Sequence, residues 1–368
     1  MINAQFQTNS LPIMDISKRY PSKEKILQDI ADIEYIALET TDDILLSGRP
    51  MLSAISDKYI LIHETLGDIF LFDRKGKIYS HFNHKGPSNQ EYAWIGSSGT
   101  ILDEKNEEIF VCAQSIQVYS LKGEYKRTLH LNTMDNELKV FNFDDDALLV
   151  YNGVIVDPAH HGKFKKNPYS LISKKDGSLI CVLDIHLPNR YSNRAIKIEN
   201  NKPKNILLYY THSTYYGPDF LIADISCDTL YLLTRNKKII PILTRQPSVH
   251  QPSEPKVVWT TFLTTDKFIQ IGLLTLDFNS KGSKIPVLTY ELETGEISKI
   301  SILDNEYNRE KWNPDMFPAI AKNMSAELYQ ASSIKERLHK NMLQGDFKEI
   351  AKSIDENDNP IIRIIKFK

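Results

Sequence analysis

Three loop-like stretches carry the residues best suited to hold a ligand. Residues 84–95, HKGPSNQEYAWI, set Glu91, Tyr92 and Trp94 within four positions of one another. A carboxylate beside two aromatic faces can grip a sugar or a peptide by combining hydrogen bonds with apolar contact. Residues 211–220, THSTYYGPDF, gather His212, Tyr215, Tyr216 and Asp219 around a Gly-Pro turn. Residues 249–259, VHQPSEPKVVW, put His250 and Trp259 at either end of a proline-stiffened segment. Each stretch also has a purely structural reading. The aromatics can be packed core, and Glu91 can tie down its own loop.

Metal chemistry has weaker support. His160 and His161 are adjacent, so their side chains diverge, and a metal there would need a ligand from elsewhere, such as His212 or His250. No HxH or HxxxH spacing occurs. The acidic runs at Asp42–Asp43 and at Asp144, Asp145 and Asp146 lack the Asp-x-Asp-x-Asp-Gly order of a calcium loop and read as turns. No cofactor is expected, although a channel could hold a single calcium or other divalent ion through scattered oxygens. There is no Gly-x-Ser-x-Gly elbow, no P-loop and no Gly-x-Gly-x-x-Gly.

The elements that must position these loops come from a repeat. An apolar strand, a polar turn and a second apolar strand recur at residues 69–82 (IFLFDRKGKIYSHF), 116–131, 169–185 and 287–303, with a Gly-less copy at 229–245. The turns fall at Gly76, Gly123, Gly177, Lys238 (in the glycine's place) and Gly295, spaced by 47, 54, 61 and 57 residues. Paired strands at about this period are the mark of propeller blades. A second pair of strand-like runs precedes the hairpins, for example residues 51–64, 100–113, 206–212 with 219–225, and 257–275. Five units result. Residues 33–40 and 360–368, IEYIALET and PIIRIIKFK, are expected to pair as the sixth and close the ring. The fold expected is therefore all-β: a six-bladed β-propeller of four-stranded antiparallel blades, with residues 1–28 as an N-terminal extension and 29–368 as one domain.

Residues 332–354 break the pattern. Apolar residues at Ile334, Leu338, Met342 and Leu343, then Phe347, Ile350, Ala351 and Ile354, follow a helical period. Ser332 or Ser333 would cap the start, and Gly345 would split the segment into two short helices. The helical insertion is expected to cover a blade edge or the rim of the ring.

Composition bounds the partners. The chain has 368 residues and a net charge of −2, from 45 basic and 47 acidic residues, with both signs interspersed. No basic stripe suits nucleic acid, and no eighteen-residue apolar run spans a bilayer. Three cysteines, Cys112, Cys181 and Cys227, lie in strand-like runs and read as small buried hydrophobes. The N-terminal residues lack a secretory pattern of basic segment and apolar run. A monomer is expected.

Read in order, several motifs resemble a family: the six-bladed β-propeller proteins abundant in Bacteroides and its relatives, with NHL-like architecture, many of them uncharacterised lipoproteins. The motifs are DIADIEYIALETTDDILLSG at 29–48, IFLFDRKGKI at 69–78, HKGPSNQEY at 84–92 with Gly86, Pro87, Glu91 and Tyr92, DTLYLL at 228–233, IIP at 239–241, and NDNPIIRIIKFK at 357–368. One departure is LDNEYNREKWNP at 303–314, which lacks the glycines many members carry there. The resemblance implies an exported protein, periplasmic or anchored as an outer-surface lipoprotein, with no established enzymatic activity. The function expected is therefore a binding propeller of the cell envelope that engages a peptide, a glycan or a partner protein through loops at one face. The alternative is a metal-dependent hydrolase or lyase resembling propeller lactonases and NHL-type lyases. That alternative rests on fold analogy.

Overall fold

The computed structural model describes residues 10–46, 49–96, 98–113, 115–131, 138–153, 167–185, 187, 189–191, 194–200, 202–207, 213–253, 255–277, 285–312, 319–321 and 323–368. Six blades of antiparallel strands form a ring. Blade 1 is Pro50–Ile55, Tyr59–Glu64, Ile69–Asp73 and Ile78–Phe82; blade 2 is Thr100–Asp103, Glu108–Cys112, Ile116–Ser120 and Tyr125–Leu129. Blade 3 is Leu138–Asn142, Ala147–Asn152, Tyr169–Ser173 and Leu179–Val182; blade 4 is Ser213–Tyr216, Asp219–Ile222, Thr229–Leu233 and Ile239–Gln246. Blade 5 is Lys256–Thr264, Phe268–Leu276, Val287–Glu291 and Ile297–Asp304. Blade 6 takes Ala319–Ala321, Met324–Tyr329 and Ile361–Phe367 from the C-terminal part of the chain, and Ala31–Ala37 from the N-terminal part. The closing pair runs from Ala37 opposite Ile361 to Ala31 opposite Phe367. The ring thus closes as the terminal motifs required.

The core lies between the blades as six wedges. One wedge packs Ile36, Ile362 and Ile364 of blade 6 on Ile60, Ile62, Phe70 and Phe72 of blade 1. The turn glycines hold this spacing. Gly76 has φ +79°, and a Cβ there would stand 2.1 Å from the carbonyl oxygen of Ala37, so neither the backbone nor the adjoining blade tolerates a side chain.

Four local expectations need correction. In blade 4 the left-handed turn residue is Lys237 (φ 62°), one position before Lys238, and its N–H reaches the Thr234 carbonyl. The inner strand of blade 4 is Ser213–Tyr216, whereas Lys202–Leu207 pairs with Arg194–Glu199 in a separate hairpin. An apolar run alone cannot tell a blade strand from an inserted hairpin. The helical segment forms Ala331–His339 and Gly345–Ser353, but the first helix is preceded by Gln330 with no side-chain cap, and Gly345 (φ +58°) opens the second helix. The cysteines are free, with Cys112 and Cys227 buried and Cys181 half-buried.

Residues ahead of blade 6 wrap the rim. Ile13–Asp15 runs parallel to the outer strand of blade 4, and Ser22–Ile26 parallel to that of blade 5. No described helix is long and apolar enough to cross a membrane.

Candidate functional site

The inner strands of blades 1 to 4 wall a cavity of about 610 Å³ in the middle of the ring. Its polar lining comes from Ser53, Thr100, Asn142, Ser213, Thr214 and Tyr215, and its apolar lining from Leu52, Ile101, Val140 and Phe141. Both kinds of surface come from the same strands because successive residues of a strand face opposite ways and inter-strand gaps expose some of each. Among the described residues, Asn142 Oδ1 and Ser213 Oγ, both shielded from solvent, have no hydrogen-bond partner. Polar atoms left so cost free energy.

One end of the cavity, where the inner strands of blades 2 and 3 turn into their second strands, is charged. Asp103 receives Lys174 Nζ at 2.5 Å, Lys105 pairs with Asp145, and Lys58 lies 3.7 Å from Glu104. Asp144 Oδ1 accepts the N–H groups of Asp146 and Ala147. The three-aspartate run is therefore a turn. Among the described residues, Arg235 makes no ion pair; its Nε donates to the Pro218 carbonyl at 2.6 Å.

Behind this wall sits His63, 4% exposed. Its Nδ1 is 2.6 Å from Ser53 Oγ, which in turn receives Thr100 Oγ1 at 2.8 Å. Burial pushes the imidazole down to about 4, so it is neutral at pH 7 and braces Ser53 through a polar chain. The linkage has a definite sign. An unfolded histidine protonates near 6.5 and the folded one near 4, so stability falls as pH drops from about 6.5 to 4, by about 3 kcal/mol in all. His63→Gln should remove that part of the pH dependence, measured by denaturant titrations at pH 7.5 and 4.5. An unchanged slope would show that His63 does not carry it.

The residues singled out from sequence are distributed around the molecule. Glu91 accepts the Ser88 N–H at 2.9 Å, which lowers its carboxyl, and its carboxylate fills the space beside Gly86. Tyr92 is fully buried between blades 1 and 2; its hydroxyl donates to the Gly67 carbonyl and accepts the His84 N–H, and burial pushes it up to about 12. Trp94 is exposed. Tyr216 and Trp259 lie in the core between blades 4 and 5, where Trp259 Nε1 donates to the Cys227 carbonyl at 2.9 Å. His250 stacks on Tyr191, with Nδ1 3.4 Å from its hydroxyl, at the entry to blade 5. His212, His160 and His161 lie outside the described residues. Of the described members of the set, Tyr215 alone lines the central cavity, with its hydroxyl accepting the Asn142 N–H at 3.0 Å and burial pushing it up to about 12. Among the described residues, no three His, Cys, Asp or Glu side chains are grouped to hold a metal.

Sequence reasoning missed a second polar centre. Arg363, fully buried in the last strand, meets Asp304 at 2.6 Å, Glu306 at 3.3 Å and Glu327 at 3.4 Å. Tyr35 donates to Glu306, and Trp312 Nε1 and Tyr329 donate to Glu327. Burial raises the Glu327 carboxyl and Arg363 opposes that rise. Phe347 of the second helix caps the cluster through its N–H to Glu306 Oε1, 3.2 Å away. The glycine-poor stretch 303–314 supplies Asp304, Glu306 and Trp312 to this network. A lone arginine in the apolar run IIRIIKF was the available signal.

Comparisons agree with the ring. A "Putative exported protein" of Bacteroides fragilis is similar over 94% of this chain and 99% of its own, at 12% identity and a TM-score of 0.61, a likeness of fold. A Bacteroides caccae protein of unknown function covers 67% of this chain and 78% of its own (14% identity, TM-score 0.36). An inactive virginiamycin B lyase from Staphylococcus aureus, solved with quinupristin, covers 86% and 80% (12% identity, TM-score 0.39). At those last two TM-scores the likeness carries no argument about chemistry. No curated protein matches. The family described as "Domain of unknown function (DUF4934)" matches residues 11–366, and this chain belongs to it.

Proposed function

We propose that this protein is a non-enzymatic binding propeller of the bacterial cell envelope, exported, that takes its ligand into the central channel. The ligand is a glycan, a peptide or a segment of a partner protein. The observation that carries this reading is the cavity of about 610 Å³, within the range of about 300–1,000 Å³ usual for ligand pockets. Its wall combines apolar patches with hydroxyls, and the mouth carries fixed charges. Such a wall orients a guest by hydrogen bonds and buries its apolar face. Export is supported by the likeness to the Bacteroides fragilis protein and by the resemblance of the terminal motifs.

Glycan and peptide arrays probed with wild type and with Ser56→Trp, which puts bulk at a half-buried lining position, test the reading. Wild type should bind at least one array class. The variant gives up the turn bond from the Tyr59 N–H to Ser56 Oγ but should keep a folded ring by circular dichroism, and it should lose that binding by at least tenfold. Binding that survives the substitution would move the site out of the channel.

A further inference from the structure

The rim of the ring already takes extended chain at two places. Ile13–Asp15 lies parallel on the outer strand of blade 4, and Ser22–Ile26 on that of blade 5. Both contacts begin alike. The Thr244 N–H donates to the Pro12 carbonyl at 2.9 Å, and the Lys299 N–H to the Pro21 carbonyl at 2.8 Å. Each proline stands one residue before its strand.

Blade 3 comes next on this rim and lacks such a cover. Its outer strand, Leu179–Val182, ends the sheet, with no strand beyond it among the described residues. Leu179, Ile180 and Val182 are 61%, 41% and 51% exposed. The Leu183 N–H donates inward to the Tyr169 carbonyl. Neighbours along an antiparallel strand alternate, so the Val182 N–H and C=O point outward. The outer strands of blades 1 and 2 carry polar groups that discourage pairing, His81 with Asp68 and Arg127 with Glu108. Leu179–Val182 carries no charge.

We propose that the outer edge of blade 3 is a second binding surface, apart from the channel, which takes an uncharged extended segment of a partner protein as a fifth, parallel strand. Strand addition of this kind draws affinity from main-chain hydrogen bonds and specificity from alternate side chains. The direction follows from the two strands already on the rim. The lack of charge follows from the hairpin turn. On blade 5, Lys23 and Lys25 of the added strand pair with Glu296 and Glu291, and the Glu291 N–H donates to the Glu296 carbonyl across the turn. The Ser173 N–H and the Ser178 carbonyl make the same bond on blade 3, so a lysine placed there would meet serine in place of glutamate. A second copy of this chain fits less well. Two such edges related by a two-fold axis pair antiparallel and join only four residues from each, well short of the roughly 1,200 Å² of a stable interface.

Fluorescence anisotropy with a labelled, acetylated peptide LPITVTV tests this; its proline precedes an uncharged strand. Wild type should bind it. The control LPIPVPV, whose added prolines remove strand N–H groups, should not bind. Val182→Pro, which deletes the outward N–H, should weaken LPITVTV roughly 5- to 10-fold, the usual worth of one backbone hydrogen bond. Ile180→Lys, which puts a charge on the edge, should weaken it by about tenfold or more. Both side chains are exposed, so both variants should keep the wild-type circular dichroism spectrum. No binding of LPITVTV, or binding that ignores both substitutions, would overturn the proposal. A wild-type dimer by light scattering that Ile180→Lys disperses would overturn it in favour of self-pairing.

Discussion

Deleting residues 1–41 should leave a protein that is insoluble or has no cooperative unfolding transition. The deletion removes Ala31–Ala37, the outer strand of blade 6, and with it seven register pairs to Ile361–Phe367. It strips Ile36 from the wedge between blades 6 and 1, a loss of about 2–3 kcal/mol for that side chain alone. It removes the Tyr35 hydroxyl from Glu306 and Gln28 from Asp304. It also bares the edge of Ile361–Phe367, a strand with four isoleucines and a phenylalanine among its seven residues, an aggregation template. Against a stability margin of about 5–15 kcal/mol, these losses add up to failure of the ring. Deleting only residues 1–21 removes the short strand Ile13–Asp15 on blade 4 and should lower the melting temperature far less. Size-exclusion chromatography and calorimetry on both truncations check this. A 1–41 deletion that stays monomeric and melts with wild type would refute terminal closure.

The second large effect belongs to Arg363. Arg363→Met keeps the bulk and removes the cation, leaving Asp304, Glu306 and Glu327 buried together. Breaking a buried pair in this way costs about 3–5 kcal/mol. The cost should depend on pH with a known sign. Glu327 is already raised by burial against the pull of Arg363, and losing the arginine raises it further. A folded-state acid with a raised pKa is penalised once the solution is basic enough to ionise it in the unfolded chain. The variant's deficit should therefore be largest at pH 7 and shrink as pH falls toward the ordinary carboxylate range. Urea titrations at pH 7 and 5 measure it. Lys366→Met, which breaks an exposed pair with Glu34, should cost under about 1 kcal/mol. A pH-independent loss for Arg363→Met would mean that packing, and not charge, dominates.

The ring was readable because its signal is repeated. Gly76, Gly123, Gly177 and Gly295 all have positive φ, and alternation around each marks two strands. Terminal pairing was readable because residues 33–40 and 360–368 are strands that no internal blade claims. The site was much less so. Its lining comes from four inner strands, and serine, threonine and asparagine in a strand look alike whether they face a channel or a neighbouring blade. Tyr92, Tyr216 and Trp259 illustrate this: their bulk suits a ligand, and the fold uses it between blades, with Tyr92 and Trp259 spending their polar tips on carbonyl oxygens. His63 and Arg363 gave a plainer cue, a titratable residue inside an apolar run, because burial of such a group demands partners.

The closing blade also sets a timetable. Residues 31–37 leave the ribosome early, and their partners at 361–367 follow more than three hundred residues later. At about 5–20 residues per second of synthesis, that interval lasts on the order of tens of seconds. Throughout it, the strand Ala31–Ala37 has no mate, and the first blade has no neighbour on one flank. Folding of the complete ring is necessarily post-translational. Whatever escorts the chain before closure, whether a holdase or an export channel that keeps it extended, acts on a molecule whose first and last segments have yet to meet.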